Sequence, residues 1–391
     1  MTHWDRVSGR LYWLVLGIAL VAGVGIGAAI AIVHSSGAPA EPQSATQSVA
    51  NTQLDPGSPL TGAAPGFTLT DQFGRRVSLR SFRGKVVVVS FNDPECTTIC
   101  PLTTTALLHA KKLLGPVADR VQLLGVGANP DATQVKWVRA YSRVHGMMDK
   151  WRFLTGSLPE MKRVWRAYGI EAQVFRGQID HTPATYVIDR HGHFSRLYLT
   201  QMAYSSVDQL GYEIAESIAA LLPGHPPLLK RNPLSPIRLF GPHVPVTLPR
   251  AGGGTVRLGP GTGPHLLLFF DTWETEVSDL SAQLDALNRY QAVAASRHLP
   301  PLVAVDEAPV EPSRQALPRF LRTLPRPLAF SVAVDESGRV GDGYRVEDSP
   351  WLELVSGSGR FLFYEDVAVK GWPGLDRLAS RVRAGLARER R

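Results

Sequence analysis

The chain has 391 residues, a formal net charge of +8 and 44% hydrophobic residues. This apolar share can build folded cores and excludes a wholly disordered chain, and the length predicts two folded units plus additional segments. Only eight of the 42 basic residues are lysines, and the arginines are scattered without a zinc finger or a basic helix, so we expect no nucleic-acid binding. Two cysteines exclude a disulfide-stapled scaffold and structural zinc sites built from several cysteines.

The N-terminal region predicts a membrane anchor. Residues 11–33 contain no charged side chain, and about 20 apolar residues suffice for a helix to cross a bilayer. Arg6 and Arg10 precede the run, which places residues 1–10 in the cytoplasm and the rest of the chain outside it. A cleaved signal peptide is the alternative, because residues 38–40 read Ala-Pro-Ala, but the apolar run exceeds the usual length of about 7–15 residues. We expect an uncleaved, single-pass anchor in the cell membrane.

Two polar or proline-rich stretches divide the remainder of the chain. Residues 34–58 are rich in Ser, Gln, Pro and Gly and predict a flexible linker behind the anchor. Residues 223–236 are proline-rich and end a helical pattern, which predicts a second linker. The expected folded domains are therefore 59–222 and 237–391.

The first of these domains alternates strand and helix patterns. A hairpin turning at Gly74 opens it, and the valine-rich run 85–91 predicts a central buried strand. Further strands are expected at 121–126, 151–154, 184–189 and 193–199, and helices at 96–114, 133–141, 158–168 and 207–222. This order predicts an α/β, thioredoxin-like mixed sheet flanked by helices on both faces.

Cys96 and Cys100 follow the central strand, where a helix is expected to start. A spacing of four places both sulfurs on one helical face, and amide groups at a helix start favour the thiolate. Two soft thiolates suit Cu(I) and also suit a reversible disulfide. Two passively buried cysteines are the plainer alternative.

His181 precedes a predicted buried strand. In a thioredoxin-like sheet this position lies against the start of the cysteine helix, so His181 can complete a set of two cysteines and one histidine suited to copper. Asp180 could orient the imidazole of His181 or could be a solvated loop acid. Taken alone, His181 has the features of an ordinary loop residue.

Residues 64–222 resemble the Sco/SenC family of membrane-anchored copper chaperones. The matching positions are Ala64, Pro65, Phe67, Leu69 and Asp71, the C-x3-C-P motif at 96–101, and Asp180-His181-Thr182. The resemblance implies a copper ion bound by Cys96, Cys100 and His181. It also implies copper delivery to, or reduction of, the Cu(A) cysteines of cytochrome c oxidase subunit II or another copper-accepting protein, with a thiol-disulfide reductant as second partner.

Two departures from the family pattern keep other functions open. Residues 92–95 read Asn-Asp-Pro-Glu instead of the usual aromatic and glycine run, and Pro183 resembles the cis-proline of redox thioredoxins. A membrane-tethered thiol-disulfide oxidoreductase needs only the redox pair Cys96 and Cys100. A peroxiredoxin-like peroxidase is disfavoured, because Asp93 occupies the position of its motif proline. A non-catalytic scaffold is the remaining alternative.

The second domain repeats the pattern without cysteines. Strands are expected at 265–270, 302–305, 330–335 and 349–355, with helices at 277–287, 313–321 and 375–391. Where redox thioredoxins have W-C-x-x-C, residues 273–277 read Trp-Glu-Thr-Glu-Val, so we expect a degenerate thioredoxin-like domain without dithiol chemistry. Glu274 and Glu276 are interpreted as acids at a helix start. A structural role, or docking of a partner or of the first domain, is expected.

Overall fold

The computed structural model describes residues 49–50, 56–175, 178–230 and 237–389. The predicted segments 1–10 and 11–33, most of the linker 34–58 and part of the linker 223–236 lie outside these residues. Across the described ranges, no helix combines the length and apolarity needed to cross a membrane. All the described residues belong to one compact unit, and the domain boundaries at 222 and 237 stay a prediction.

The first half of the chain builds an eight-stranded mixed sheet. Its order is β1-β10-β9-β4-β5-β6-β2-β3, and a separate hairpin consists of β7 and β8. The strands are β1 (Ser58–Pro59), β2 (Thr68–Asp71), β3 (Arg76–Ser78), β4 (Val86–Asn92), β5 (Val121–Gly127), β6 (Arg152–Thr155), β7 (Ala172–Phe175), β8 (Gln178–His181), β9 (Ala184–Ile188) and β10 (Phe194–Leu199). The helices are α1 (Ile99–Leu114), α2 (Val135–Val144), α3 (Leu158–Tyr168) and α4 (Val207–Leu221).

The thioredoxin-like arrangement follows from the pairing of the central strands. β4, β5 and β6 are parallel neighbours, whereas β9 pairs antiparallel with β4 and β10 pairs antiparallel with β9. Every residue of β4 is buried, as its run of four valines predicts. The hairpin of β2 and β3 turns at Gly74, whose φ of +84° is a conformation that glycine adopts without strain.

The second half repeats this strand order. Its five-stranded sheet has the order β15-β14-β13-β16-β17, with the first three strands parallel and the last two antiparallel. The strands are β11 (Val246–Pro249), β12 (Thr255–Leu258), β13 (His265–Phe270), β14 (Leu302–Asp306), β15 (Ser331–Val334), β16 (Trp351–Val355) and β17 (Phe361–Asp366). The helices are α5 (Leu280–Ala294), α6 (Ala316–Thr323), α7 (Arg339–Tyr344), α8 (Val367–Lys370) and α9 (Leu375–Glu389). The β11–β12 hairpin also precedes the first central strand, as the β2–β3 hairpin does.

The two halves share one apolar cluster. Leu107 of α1 and Tyr141 of α2 belong to the same buried cluster as Tyr344 of α7 and Trp351 of β16. Because burial of apolar area is the main favourable term in folding, this continuous core holds the second sheet against the helices that follow β4 and β5.

Buried carboxylates lie where the parallel strands of the second sheet end. Asp271 follows β13, Asp306 ends β14, Glu307 comes next, and Asp335 follows β15; each is at most 1% exposed. Within the described residues, neither carboxylate oxygen of Glu307 has a hydrogen-bond partner. Burial first, and then the neighbouring carboxylates, raise the pKa of Glu307 well above its usual value. The folded chain therefore holds a proton on Glu307 more tightly than the unfolded chain does.

Mildly acidic pH should stabilise this region, and Glu307 provides the test. A carboxyl whose pKa is raised by folding contributes stability below its unfolded pKa, and this stability is lost as the pH rises through the folded pKa. Glu307→Gln should therefore make the drop in unfolding free energy between pH 5 and pH 8 smaller by about 1–3 kcal/mol. Urea unfolding of the full chain at both pH values measures it.

The matched control is Glu336→Gln, which changes an exposed acid of the same half. It should leave the pH dependence of the unfolding free energy as in the unmodified chain. If Glu307→Gln and Glu336→Gln behave alike, Glu307 is not a buried proton-holding group.

Candidate metal and thiol site

The two cysteines lie on a turn anchored by Asp93. This turn leaves the end of β4, and the Asp93 carboxylate accepts hydrogen bonds from the Glu95 amide at 2.9 Å and from the Asn129 side-chain amide at 2.8 Å. The Cys96 amide donates to the Asp93 carbonyl at 3.2 Å. Residues 93–97 thus form a side-chain-stabilised turn, a conformation that competes with helix.

The helix start predicted at Cys96 is therefore wrong. α1 begins at Ile99, so Cys96 precedes the helix and only Cys100 lies in its first turn. The expectation that both sulfurs share one helical face fails for the same reason, because the Asp93 turn takes Cys96 off the helix. The turn itself brings the Cys96 sulfur within hydrogen-bond reach of Cys100.

The two thiols differ in exposure and in acidity. Both are free, Cys96 half-buried and Cys100 only 2% exposed. The hydrogen bond from Cys100 is the largest influence on Cys96 and lowers its pKa, with the Thr98 hydroxyl, 3.2 Å from the Cys96 sulfur, acting in the same direction. Burial raises the pKa of Cys100 well above its usual value. Cys96 is therefore the more acidic and the less buried of the two cysteines.

His181 contacts the second of these sulfurs. It ends β8, in a hairpin that pairs Ala172 with His181, and its Nε2 lies 3.6 Å from the Cys100 sulfur. Nδ1 donates to the Thr182 carbonyl at 3.2 Å, because a carbonyl oxygen can only accept. Burial lowers the pKa of His181, against the charge of Asp93. A neutral ring with the lone pair of Nε2 directed at the sulfur is the form that binds metals.

The surroundings of His181 favour the solvated alternative for Asp180 and correct the likeness of Pro183 to a cis-proline. The Thr182 carbonyl, not Asp180, bonds the imidazole, since Asp180 is exposed and the ring nitrogen lies against the main chain. The peptide bond before Pro183 is trans, and the cis peptide bond among the described residues is Ser349–Pro350, at the corresponding point of the second sheet. The sequence placed His181 in a loop because the short hairpin of β7 and β8 leaves no clear alternating pattern.

The donor chemistry suits a soft metal, although the set is incomplete in this conformation. Cys100 touches both Cys96 and His181, and thiolate sulfur with imidazole nitrogen favours copper over hard cations. Among the described residues, no three or more His, Cys, Asp and Glu side chains are arranged so that they could hold a metal ion as they stand. Their assignment as metal ligands therefore stays a prediction.

The sequence analysis did not identify two further residues of the site. Asp93, treated above as a departure from a motif, is 5% exposed, and its charge raises the pKa of both thiols. Asp348, from the second half of the chain, accepts a hydrogen bond from the Thr97 hydroxyl between the two cysteines. An acid directly after a buried strand is the only signal for Asp93, and the sequence carries none for Asp348.

Glu274 stands at a helix start as predicted, and Glu276 makes an ion pair that the sequence does not indicate. Glu274 is fully buried and part of a capping box with Asp271, where burial raises its pKa well above the usual value. Glu276 pairs with Arg143 of α2 at 2.6 Å, a residue of the first half. This ion pair joins distant parts of the chain and therefore has no local sequence signal.

A family model describes the part of the chain that carries this site. Residues 58–216 match the model named SCO1/SenC. The SCO1 protein homolog of Bacillus subtilis is 30% identical over 99 residues, which are 25% of this chain and 51% of that protein. The putative chloroplastic peroxiredoxin Q of Oryza sativa subsp. indica is 28% identical over 139 residues, 36% of this chain and 58% of that protein. The chain thus spans little more than half the length of these relatives.

A solved structure is similar to part of this chain. ScoI of Bradyrhizobium japonicum, determined with copper bound, is 23% identical and aligns with 41% of this chain and 100% of its own, with a TM-score of 0.36.

The thiol pair yields a direct prediction. Cys100→Ala removes the donor that stabilises the Cys96 thiolate, so the pKa of Cys96 should rise and its alkylation by iodoacetamide at pH 7 should slow by about tenfold. Cys100→Ser keeps a donor and should retain most of the rate. Mass spectrometry of the alkylated chain over a pH series measures both variants. Equal rates in the two variants would show that Cys100 does not activate Cys96.

Proposed function

We propose that this chain, whose residues 58–216 form a SCO1/SenC domain, is a copper metallochaperone that serves the assembly of cytochrome c oxidase. Cys96, Cys100 and His181 are the proposed ligands of the copper ion. The observation that carries the proposal is the position of the Cys100 sulfur, which bonds Cys96 and lies 3.6 Å from Nε2 of His181. Cys100 thus contacts both a neighbouring thiol and a neutral imidazole from a distant part of the chain.

Copper is the cargo in this proposal. The ion takes the place of the thiol protons, because thiolates and not thiols bind metal, so binding releases protons. Cys96 and His181 each touch Cys100 from one side, and loading requires the two to approach each other around the ion. Cys96, the less buried of the two cysteines, is the ligand proposed to meet a partner's thiolate first, which suits transfer by ligand exchange.

The partners in this proposal come from the resemblance to the SCO1/SenC family. The proposed acceptor is the Cu(A) site of cytochrome c oxidase subunit II, or another protein with cysteine ligands for copper. A thiol-disulfide reductant is also needed, since two electrons and two protons convert a Cys96–Cys100 disulfide back to the thiols that bind copper. Outside the cytoplasm, the proposed location of this domain, thiols are readily oxidised to disulfides, so the reductant is necessary.

The proposed location is the outer face of the cell membrane. Residues 11–33 would form a single-pass anchor with residues 1–10 in the cytoplasm and both folded domains outside it. The uncharged length of residues 11–33 and the preceding arginines support this location.

Removal of His181 tests copper binding. His181→Ala should weaken Cu(I) affinity of the reduced full chain by about tenfold to 100-fold, since one of three ligands is lost. Competition with a Cu(I) chelator measures the affinity. His191→Ala, which changes an exposed histidine of the β9–β10 turn, is the matched control and should leave it unchanged. Unchanged affinity after His181→Ala would rule out the proposed ligand set.

A thiol-disulfide oxidoreductase is the second candidate, favoured by the contrast between the two thiols. An accessible cysteine with a lowered pKa beside a buried cysteine with a raised pKa is the arrangement of an attacking and a resolving thiol. Only Cys96 and Cys100 take part in this chemistry, so His181 separates the two functions.

The amount of oxidase assembled in cells distinguishes the copper chaperone from the thiol-disulfide oxidoreductase. Copper carriage predicts that His181→Ala and Cys96→Ser both abolish oxidase assembly. Dithiol reduction predicts that Cys96→Ser abolishes it and His181→Ala leaves it near normal. The spectrum of assembled oxidase in membranes, normalised to the amount of the chain, is the measurement.

The pKa of Cys100 argues against a peroxidase. A peroxiredoxin-type motif read back from Cys100 finds Thr97 in place but Asp93 where proline is required. A peroxidatic cysteine must be a thiolate, whereas burial raises the pKa of Cys100 well above its usual value.

A further inference from the structure

The second half of the chain has its own counterpart of His181. The order β6-β5-β4-β9-β10 of the first half corresponds to β15-β14-β13-β16-β17 of the second. The fourth strand of this shared order, β9 or β16, begins directly after a proline, Pro183 or Pro350. Two positions before the proline stands His181 in the first half and Asp348 in the second. The repeated strand order therefore gives both residues the same position in their respective sheets.

Both residues contact the segment 96–100, which carries the two cysteines. His181 contacts Cys100, and Asp348 accepts a hydrogen bond from the hydroxyl of Thr97, the residue after Cys96. Asp348 is 8% exposed, and its Oδ1 also accepts the Ser349 amide at 2.8 Å. The segment 96–100, which consists of the loop with Cys96 and the first turn of α1 with Cys100, is thus contacted by one residue of each half.

Contacts other than the Thr97–Asp348 bond also join the two halves. The amides of Tyr204 and Ser205 donate to Asp342 at 2.8 and 2.9 Å, and these bonds join the start of α4 to α7. The rings of His145 and Trp273 are also in contact, 4.8 Å between centroids. Loss of the Thr97–Asp348 bond therefore leaves the two halves attached and changes the freedom of the loop alone.

We propose that Asp348 is a positioning residue which the second half supplies to the cysteine loop: by accepting the Thr97 hydroxyl it restrains Cys96 and limits how fast Cys96 exchanges its partner. The restraint explains what a cysteine-less domain does beside a thiol site. The role in exchange rests on the proposed function, whereas the restraint on Cys96 does not.

The chemistry of the bond supports a strong restraint. Burial raises the pKa of Asp348 to about 6, with the Thr97 hydrogen bond acting against it. At pH 7.5 the carboxylate is therefore ionised, and a hydroxyl donating to an ionised acceptor forms a stronger bond than one between neutral groups.

Alkylation of Cys96 in the reduced, copper-free full chain tests the proposal. At pH 7.5, Asp348→Ala and Thr97→Val should each raise the iodoacetamide rate at Cys96 by about tenfold, while Cys100 stays protected. Asp348→Asn keeps an acceptor oxygen but loses the charge, so it should raise the rate by clearly less than Asp348→Ala does. The double variant should be no faster than either single variant, because both remove the same bond.

The matched control is Glu347→Ala, which changes the exposed neighbour of Asp348 and should leave the rate unchanged. An unchanged rate in Asp348→Ala, a rate in Asp348→Asn equal to that of Asp348→Ala, or additive effects in the double variant would each overturn the proposal. Because the assay needs no copper, it decides on the restraint even if copper binding fails. If the restraint holds, copper transfer to a chelator should accelerate in Asp348→Ala by the same factor.

Discussion

The contact between the Cys100 sulfur and Nε2 of His181 is the constraint on which the site depends. It joins the first turn of α1 to the end of the β7–β8 hairpin, and the sheet makes it possible. β9 pairs antiparallel with β4, for example Thr185 with Ser90, so the residues that enter β9 lie beside those that leave β4. The cysteine loop leaves β4 and His181 precedes β9, which brings them together. The antiparallel pairing of β9 with β4 is thus what brings sulfur and imidazole nitrogen together.

The same pairing rule in the second half creates a different environment. β16 pairs antiparallel with β13, so Asp348 and Ser349 approach the residues after β13, which are Asp271 and Glu274. The residues after β13 thus supply carboxylates where the residues after β4 supply thiols. Burial raises the pKa of both Asp271 and Glu274. This half contains no cysteine, and its Asp348 accepts a hydrogen bond from Thr97 beside Cys96 in the first half.

Sequence patterns predicted the elements whose signals are local. The helix expected at 158–168 has the observed bounds Leu158–Tyr168, because Ser157 and Glu160 form a capping box and Gly169 ends the helix in a left-handed conformation. The valine run of β4 was similarly clear, since a strand buried on both faces reads as a continuous apolar stretch. The convergence of His181 on the cysteines followed from the fold class, which the alternating elements indicated.

The remaining features depend on contacts between distant residues. The start of α1 moved from Cys96 to Ile99 because Asn129, far along the chain, binds Asp93 and stabilises the preceding turn. The bond from Thr97 to Asp348 spans 251 residues and has no local signature. The ion pair of Glu276 with Arg143 of α2 joins the two halves and likewise has no local signature. Local propensity cannot report any of these, because each is decided by tertiary packing.

The most direct measurement is X-ray absorption spectroscopy at the copper edge on the full chain loaded with one copper ion. The account predicts a first coordination shell of two sulfur atoms and one nitrogen atom, with the outer-shell scattering pattern of an imidazole ring. The imidazole signal should vanish in His181→Ala and persist in His191→Ala. A shell without imidazole nitrogen in the unmodified chain, or with fewer than two sulfurs, would contradict the account.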